Sequence, residues 1–217
     1  MAVEEIIKLK GVDFLKKIIN KLLGERTTSA NQDIISKWIK DGKPVPPPHL
    51  LKQLVIKSER DKNDFNILIE TGTYLGDMVE VQKRFFKKIY SIELGEELFI
   101  NAVKRFEEDK NVEILLGDSG IILNDLMPKI NEPAIFWLDG HFSAGITAKG
   151  QKECPIFEEL TAIFAVPKFN HTILIDDARL FSGFNDYPSV EELREFIKSK
   201  IQDFTFTIKD DIIRIVQ

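Results

Sequence analysis

The chain has 217 residues, with 30 Lys and Arg against 35 Asp and Glu, a net charge of −5 at pH 7 and 43% hydrophobic residues. That length and apolar content suit one globular domain with an appendage, and a pI near 5.4 argues against a general nucleic-acid binder, which needs a basic footprint. One cysteine and three histidines argue against a disulfide framework, a cysteine-rich zinc site and a three-histidine metal centre, so metal chemistry here has to rest on carboxylates.

In chain order, the opening MAVEEIIKLKGVDF has charges interrupting every apolar run, which leaves no signal-peptide core. Nothing approaches the ~20 apolar residues of a membrane span, and the lone Cys154 fits a reducing compartment, so a cytoplasmic protein is expected. Ile6, Ile7, Leu9, Phe14, Leu15, Ile18, Ile19, Leu22 and Leu23 recur at helical spacing, and Gly24 is a stop signal. A second short helix is predicted over Asn31–Ile39. The Pro-rich stretch Asp41–His49 cannot be regular helix, and a third helix is predicted from Leu50 to about Glu59. Residues 1–60 therefore read as a helical extension or cap, and 61–217 as the main domain.

From Asn66 onward the pattern becomes an alternation of strands and helices. Apolar, β-rich runs occur at 66–70 (NILIE), 88–93 (KIYSIE), 112–117 (VEILLG), 134–139 (AIFWLD) and 172–176 (TILID). Helix-like segments follow at 75–86, 95–108, 120–130, 155–164 and 189–199. Strand–helix alternation implies parallel βαβ units with right-handed crossovers. The last two runs, DFTFTIK and DIIRIVQ, are separated by too few residues for anything but an antiparallel hairpin. The 16 phenylalanines are spread along the chain and read as core material.

Each parallel strand runs into an acidic or glycine-containing turn. Glu70 leads into Thr71-Gly72-Thr73-Tyr74-Leu75-Gly76, Glu93 ends the second strand, Asp118-Ser119 follows the third, Asp139 the fourth, and Asp176-Asp177 the fifth. In an open α/β sheet, ligands bind outside the carboxyl ends of the strands, so these turns mark one crevice. The glycines of the first turn let backbone approach a ligand closely, but E-x-G-x-x-x-G is not the phosphate-cradling G-x-G-x-x-G. Glu93 stands where a carboxylate accepts hydrogen bonds from a ribose diol, and Asp118 can meet an adenine amino group. For each acid, a solvated strand end or a loop cap is the alternative.

In this order, ETGTYLG, IYSIE, LLGDS, FWLDGH and LIDD resemble the class I S-adenosylmethionine-dependent methyltransferases, whose hallmark is also a terminal antiparallel hairpin. The resemblance implies a Rossmann-like α/β fold: a mostly parallel seven-stranded sheet with a C-terminal antiparallel hairpin, plus the N-terminal helices. Within the family, the string looks most like the metal-dependent O-methyltransferases of the catechol and macrolide-sugar types. LDGHFSAGITAKGQKECPIFEEL, with ILIDDARLFSG and YPS, is similar to small bacterial and viral enzymes associated with glycan modification. The match runs from about residue 45 to the end of the chain.

Carried over by position, the resemblance sets the methionine end of S-adenosylmethionine against Glu70, Thr71, Gly72, Thr73, Tyr74 and Gly76. Glu93 takes the ribose hydroxyls, Asp118 and Ser119 flank the adenine, and Asp139 borders the cofactor. In the metal-dependent branch, Asp139, Asp176 and Asp177 would bind Mg²⁺, a hard cation suited to carboxylate oxygens. The alternative is that Asp176 or Asp177 caps a loop or pairs with Arg179. His141, two residues after Asp139, is the expected general base, or else a structural or second-layer partner. The catechol enzymes carry a lysine near this place. Here Phe142 stands there and Lys149 lies further on. The long segments Gly140–Glu153 and Ala178–Tyr187 are lid candidates.

The expected function is methyl transfer to a hydroxyl of a sugar or glycan, assisted by Mg²⁺, with a catechol-like or other small diol as the alternative acceptor. Two rival classes are a nicotinamide-dependent oxidoreductase and a carboxylate-rich ligand-binding module. No nucleic-acid or membrane partner is expected, and the N-terminal helices are candidates for packing or for a homo-oligomer contact.

Overall fold

The computed structural model describes residues 29–140 and 154–217. The predicted helix of Ile6–Leu23, His141 and Lys149 lie outside those residues. The chain divides into two compact units, Met1–Ser58 and Glu59–Gln217.

In the first unit, α1 (Ser29–Lys40) is followed by the Pro-rich loop and by α2, which starts at His49 and ends at Asn63. Ile35, Trp38, Leu51 and Leu54 form its buried apolar cluster. The Trp38 indole donates to the Pro44 carbonyl at 2.8 Å, which satisfies the one polar atom of a mostly apolar side chain. His49 makes a side-chain hydrogen bond to Gln53 at 3.0 Å, one helical turn on, in keeping with a helix-start role.

The second unit contains β1 (Ile67–Thr71), α3 (Asp77–Gln82), β2 (Lys88–Glu93), α4 (Glu96–Arg105), β3 (Val112–Leu116), α5 (Ser119–Leu126), β4 (Ala134–Leu138), α6 (Ile156–Phe164), β5 (Thr172–Ile175), α7 (Val190–Lys200), β6 (Thr205–Lys209) and β7 (Ile212–Val216). They form one seven-stranded sheet in the order β3-β2-β1-β4-β5-β7-β6. The first five strands are mutually parallel, β7 runs antiparallel to β5, and β6 runs antiparallel to β7. Every residue of β1, β4 and β5 is buried. Helices on both faces require such continuous apolar strands. The outer strands β3 and β6 are largely uncovered.

The strand order reverses between β1 and β4, which creates a switch point where ligands bind in open α/β sheets. Register levels the strand ends there. Thr71 lies opposite both Ile92 and Leu138, Leu138 opposite Ile175, and Glu93 opposite Leu116. The turns after all five parallel strands therefore leave from one rim.

The opposite, amino rim is closed largely by amide and imidazole side chains. Asn111 donates to the carbonyls of Lys83 (2.7 Å) and Phe86 (2.9 Å), and Asn66 donates to Glu132 (2.8 Å). His171, in the connection just before β5, is 2% exposed. Its Nδ1 accepts from the Ala134 N–H at 3.2 Å, and its own N–H donates to the Gln217 side chain at 2.9 Å. Burial pushes its pKa down to about 4 against the weaker pull of the Ala134 bond, so it stands neutral between Phe136 and Phe169. No helix among the described residues is long and apolar enough to cross a membrane.

Candidate active site

The turn after β1 is shaped by two glycines in the left-handed region. At Gly72 (φ +84°) a Cβ would lie 2.5 Å from the Asp139 carbonyl oxygen, so only glycine lets the exits of β1 and β4 close against each other. Thr71 then fixes the β4 exit. Its carbonyl accepts from the Asp139 N–H at 3.1 Å, and its hydroxyl oxygen accepts from the Gly140 N–H at 3.1 Å. At Gly76 (φ +81°) a Cβ would strike the Phe106 ring at 2.7 Å. Tyr74 also has positive φ (48°) and leaves its ring exposed.

Glu70 faces inward beneath this turn and is 2% exposed. The Ser91 hydroxyl donates to it at 2.5 Å and also meets the Thr73 hydroxyl at 2.7 Å. Burial pushes the Glu70 carboxyl up to about 8; the Ser91 hydrogen bond opposes this, and the Glu93 charge adds to it. Burial therefore favours the protonated carboxyl at neutral pH.

Glu93, 5% exposed, joins two turns. Its carboxylate accepts from the Tyr74 N–H at 2.7 Å through one oxygen and from the Gly95 N–H at 2.8 Å through the other. A carboxylate has about four acceptor positions, so a vicinal diol can still be bound. Asp118 is the N-cap of α5: its side chain accepts from the Gly120 N–H at 2.9 Å. The buried Ser119 hydroxyl donates to Glu159 of α6 at 2.6 Å.

Glu159 was not singled out from sequence, although a signal existed. It falls on the apolar stripe of its helix, three residues after Ile156 and four before Ile163, and it is 2% exposed. A charged residue on a buried helical face needs a reason. Ser91 was missed too, because a serine inside a β-rich run carries no local mark.

The acids after β4 and β5 divide. Asp176 is fully buried; its N–H donates to the Leu138 carbonyl at 3.0 Å, and its carboxylate accepts from the Asp177 N–H at 2.8 Å. Asp177 has a left-handed backbone and pairs with Arg179 at 2.7 Å. The same guanidinium pairs with Asp211 in the β6–β7 turn, and Asp211 also accepts from the Arg179 N–H at 2.9 Å. The alternative reading of Asp177, a partner for Arg179, is thus the one seen. Among the described residues, no three Asp, Glu, His or Cys side chains gather as a metal-holding group. Asp139, Asp176 and Asp177 as arranged do not fit the expected Mg²⁺ triad. In the second lid candidate, Phe181 packs edge-on against Tyr187 at 5.7 Å, and Ser182 bridges to Ser189. The segment is tied down at its base, while Phe184 at its tip is 72% exposed.

No protein-family model matches the chain. A curated relative, the 2-C-methyl-D-erythritol 4-phosphate cytidylyltransferase of Thermosipho africanus, is 27% identical over 168 residues, which covers 74% of this chain and 70% of that protein. Among solved structures, the O-methyltransferase TomG of Streptomyces achromogenes, involved in tomaymycin synthesis and in complex with SAM, superposes with a TM-score of 0.58 and 17% identity, over 91% of this chain and 92% of its own. The O-methyltransferase of Bacillus cereus in complex with SAH gives a TM-score of 0.57 at 12% identity, over 94% and 97%. The Rossmann-like methyltransferase fold, with its C-terminal antiparallel strands, is therefore established.

Proposed function

We propose that the protein is an S-adenosylmethionine-dependent O-methyltransferase that methylates a hydroxyl of a small-molecule or glycan acceptor. One observation carries the reading. Glu70, Glu93 and Asp118 stand at the ends of three adjacent parallel strands, and Glu93 holds the glycine turn after β1 by a 2.7 Å hydrogen bond. On this reading a nucleoside with a cationic sulfur lies along these strand ends, beside the switch point. That arrangement is more specific than a general acidic crevice would need.

S-adenosylmethionine supplies an electrophilic methyl group on sulfur. The remaining work falls to this chain. Glu93 accepts from the ribose diol, Asp118 and Ser119 border the adenine, and the Thr71–Gly76 turn receives the amino-acid end. Glu70 lies beneath that turn, where an incoming cation favours its ionised form. Orientation of the acceptor oxygen for in-line attack supplies much of the rate, and His141 takes the hydroxyl proton. A sugar diol is the favoured acceptor, on the glycan-enzyme resemblance of the LDGH to YPS segment; a catechol-like diol is the alternative. A helical extension over residues 1–60 and a transferase domain over 61–217 follow the same reading.

The test is calorimetry with S-adenosylhomocysteine, followed by radiolabelled methyl transfer from S-adenosylmethionine to a panel of sugars and catechols, with Mg²⁺ and in excess EDTA. Micromolar binding and transfer to a diol are expected. Absence of S-adenosylhomocysteine binding would sink the reading, and binding of NADH instead would favour an oxidoreductase. The cytidylyltransferase likeness favours a second reading, a nucleotide-binding transferase, which binding of CTP in the same titration would support. His141→Ala is expected to lower kcat by ~10²–10⁴; an unchanged kcat assigns His141 a structural role.

A further inference from the structure

We propose that Glu159 is a positioning residue of this crevice, a single buried carboxylate that holds the turn after β3 and the exit of β4 in fixed relation. The inference rests on the S-adenosylmethionine reading and deepens it. On that reading, the β3 turn faces the adenine and the β4 exit faces the reacting end, so one side chain keeps the two ends of the cofactor site in register.

The geometry is carried by one oxygen. Glu159 Oε1 accepts from the Ser119 hydroxyl at 2.6 Å, and Ser119 directly follows Asp118. The same Oε1 lies 3.2 Å from the point where a Cβ on Gly140 would stand, and the Thr71 hydroxyl oxygen lies 2.9 Å from that point. Thr71 in turn receives the Asp139 and Gly140 N–H groups. Hydrogen bonds therefore join Ser119 to Glu159, and Asp139 and Gly140 to Thr71, and Glu159 Oε1 occupies the space beside Gly140 between the two sets.

The location favours a charged group held still. Glu159 sits in the first turn of α6 and touches the first residue of α5; both helix starts favour negative charge. The two helices pack so closely that a Cβ on Gly120 would lie 2.7 Å from the Glu158 Cβ, which restricts their movement past each other. For stability alone, Leu or Met would serve better here, because a buried carboxylate carries a desolvation cost that an apolar side chain lacks. The carboxylate makes sense where a particular separation of two turns matters.

The experiment measures S-adenosylhomocysteine affinity, the KM values for S-adenosylmethionine and for acceptor, and Tm. The proteins are wild type, Glu159→Ala, Glu159→Gln, Ser119→Ala and the Ser119→Ala/Glu159→Ala double variant. Loss of this buried hydrogen bond, which leaves the Ser119 hydroxyl without its acceptor, predicts roughly 10–100-fold weaker binding in Glu159→Ala. The KM for S-adenosylmethionine should rise while the acceptor KM holds. Glu159→Gln, whose amide oxygen can still accept from Ser119, should stay within about threefold of wild type. The double variant should bind no more weakly than Glu159→Ala, because both changes end the same interaction. A folded Glu159→Ala with wild-type affinity, or one that only lowers Tm, overturns the proposal. If Glu159→Ala does not fold, Ser119→Ala decides: weaker binding at unchanged Tm supports the role, and unchanged binding overturns it. Wild type that fails to bind S-adenosylhomocysteine overturns the functional reading itself, which separates the two failures.

Discussion

At the amino rim of the sheet, Asn111, His171 and Gln217 pair with backbone groups, and Asn66 donates to the Glu132 carboxylate. At the carboxyl rim, Glu93 and Asp118 take backbone N–H groups from the turns around them, and Glu70 lies buried below. The two rims use different side chains, and at the amino rim the His171 Nε2 and the Thr172 hydroxyl are buried without a hydrogen-bond partner. The amino rim uses mainly amides and a neutral imidazole, and the carboxylate there, Glu132, is taken up by Asn66. The carboxyl rim uses carboxylates, which retain acceptor capacity after their structural bonds are made. It also holds the backbone at positive φ at Gly72, Tyr74, Gly76 and Asp177, conformations that cluster at functional sites. One sheet thus carries a sealed end and a receptive end.

Substitutions at the two rims should therefore fail in different ways. The largest effect is expected for Gly72→Ala, which drives a Cβ into the Asp139 carbonyl at a φ that alanine rarely adopts. Methyl transfer should fall at least ~10³-fold, since displacements near 1 Å already cost ~10², with a clear drop in Tm; a variant with wild-type turnover would break the comparison. Next, Glu93→Ala should weaken S-adenosylhomocysteine by roughly 10²-fold with a smaller loss of Tm, because it removes acceptors from a diol and from two turns. At the amino rim, His171→Ala leaves the buried Ala134 N–H unpaired and should cost about 1–3 kcal/mol by chemical denaturation. Its affinity for S-adenosylhomocysteine should not change, and any loss of affinity would show that the rims are not separable.

The smallest expected effect is in pH dependence. Glu70 keeps its proton up to about 8 in the folded protein, against 4.5 ordinarily. Between those values the folded state binds more protons than the unfolded state, so stability declines as pH rises through that window. His171 titrates near 4 instead of 6.5; here the unfolded state binds more, and stability declines as pH falls across that interval. Glu70→Gln should gain on wild type toward pH 8, and His171→Ala should lose least relative to wild type near pH 4. Thermal melts from pH 4 to 9 check both; parallel curves would contradict the burial of either group.

The strands were legible in sequence to within a residue or two, because buried parallel strands are near-continuous apolar runs bounded by turns. The helix predicted over 75–86 is shorter, Asp77–Gln82, since the Phe85 N–H turns back to Gln82. The strand order was not legible, because periodicity carries no information about neighbours across the sheet; the family resemblance supplied the seven-stranded, mostly parallel fold. The strand-end acids were legible because each follows an apolar run. Their partners were not: the Glu70–Ser91 and Ser119–Glu159 bonds span 21 and 40 residues. The Mg²⁺ triad needed three side chains from two strand ends to converge, whereas Asp177 has Arg179 two residues away, and the local pairing prevails in this structure.

The β6–β7 hairpin has a practical consequence for anyone who stabilises this protein by consensus substitution. Asp210 and Asp211 both hold positive φ, at 54° and 61°, where Asn-Gly is the favoured turn. A designer would replace them to relieve backbone strain. Yet the Asp211 carboxylate accepts from the Arg179 N–H and pairs with the Arg179 guanidinium. The swap would improve the hairpin and release the loop that follows β5, yielding a sturdier protein with a looser mouth.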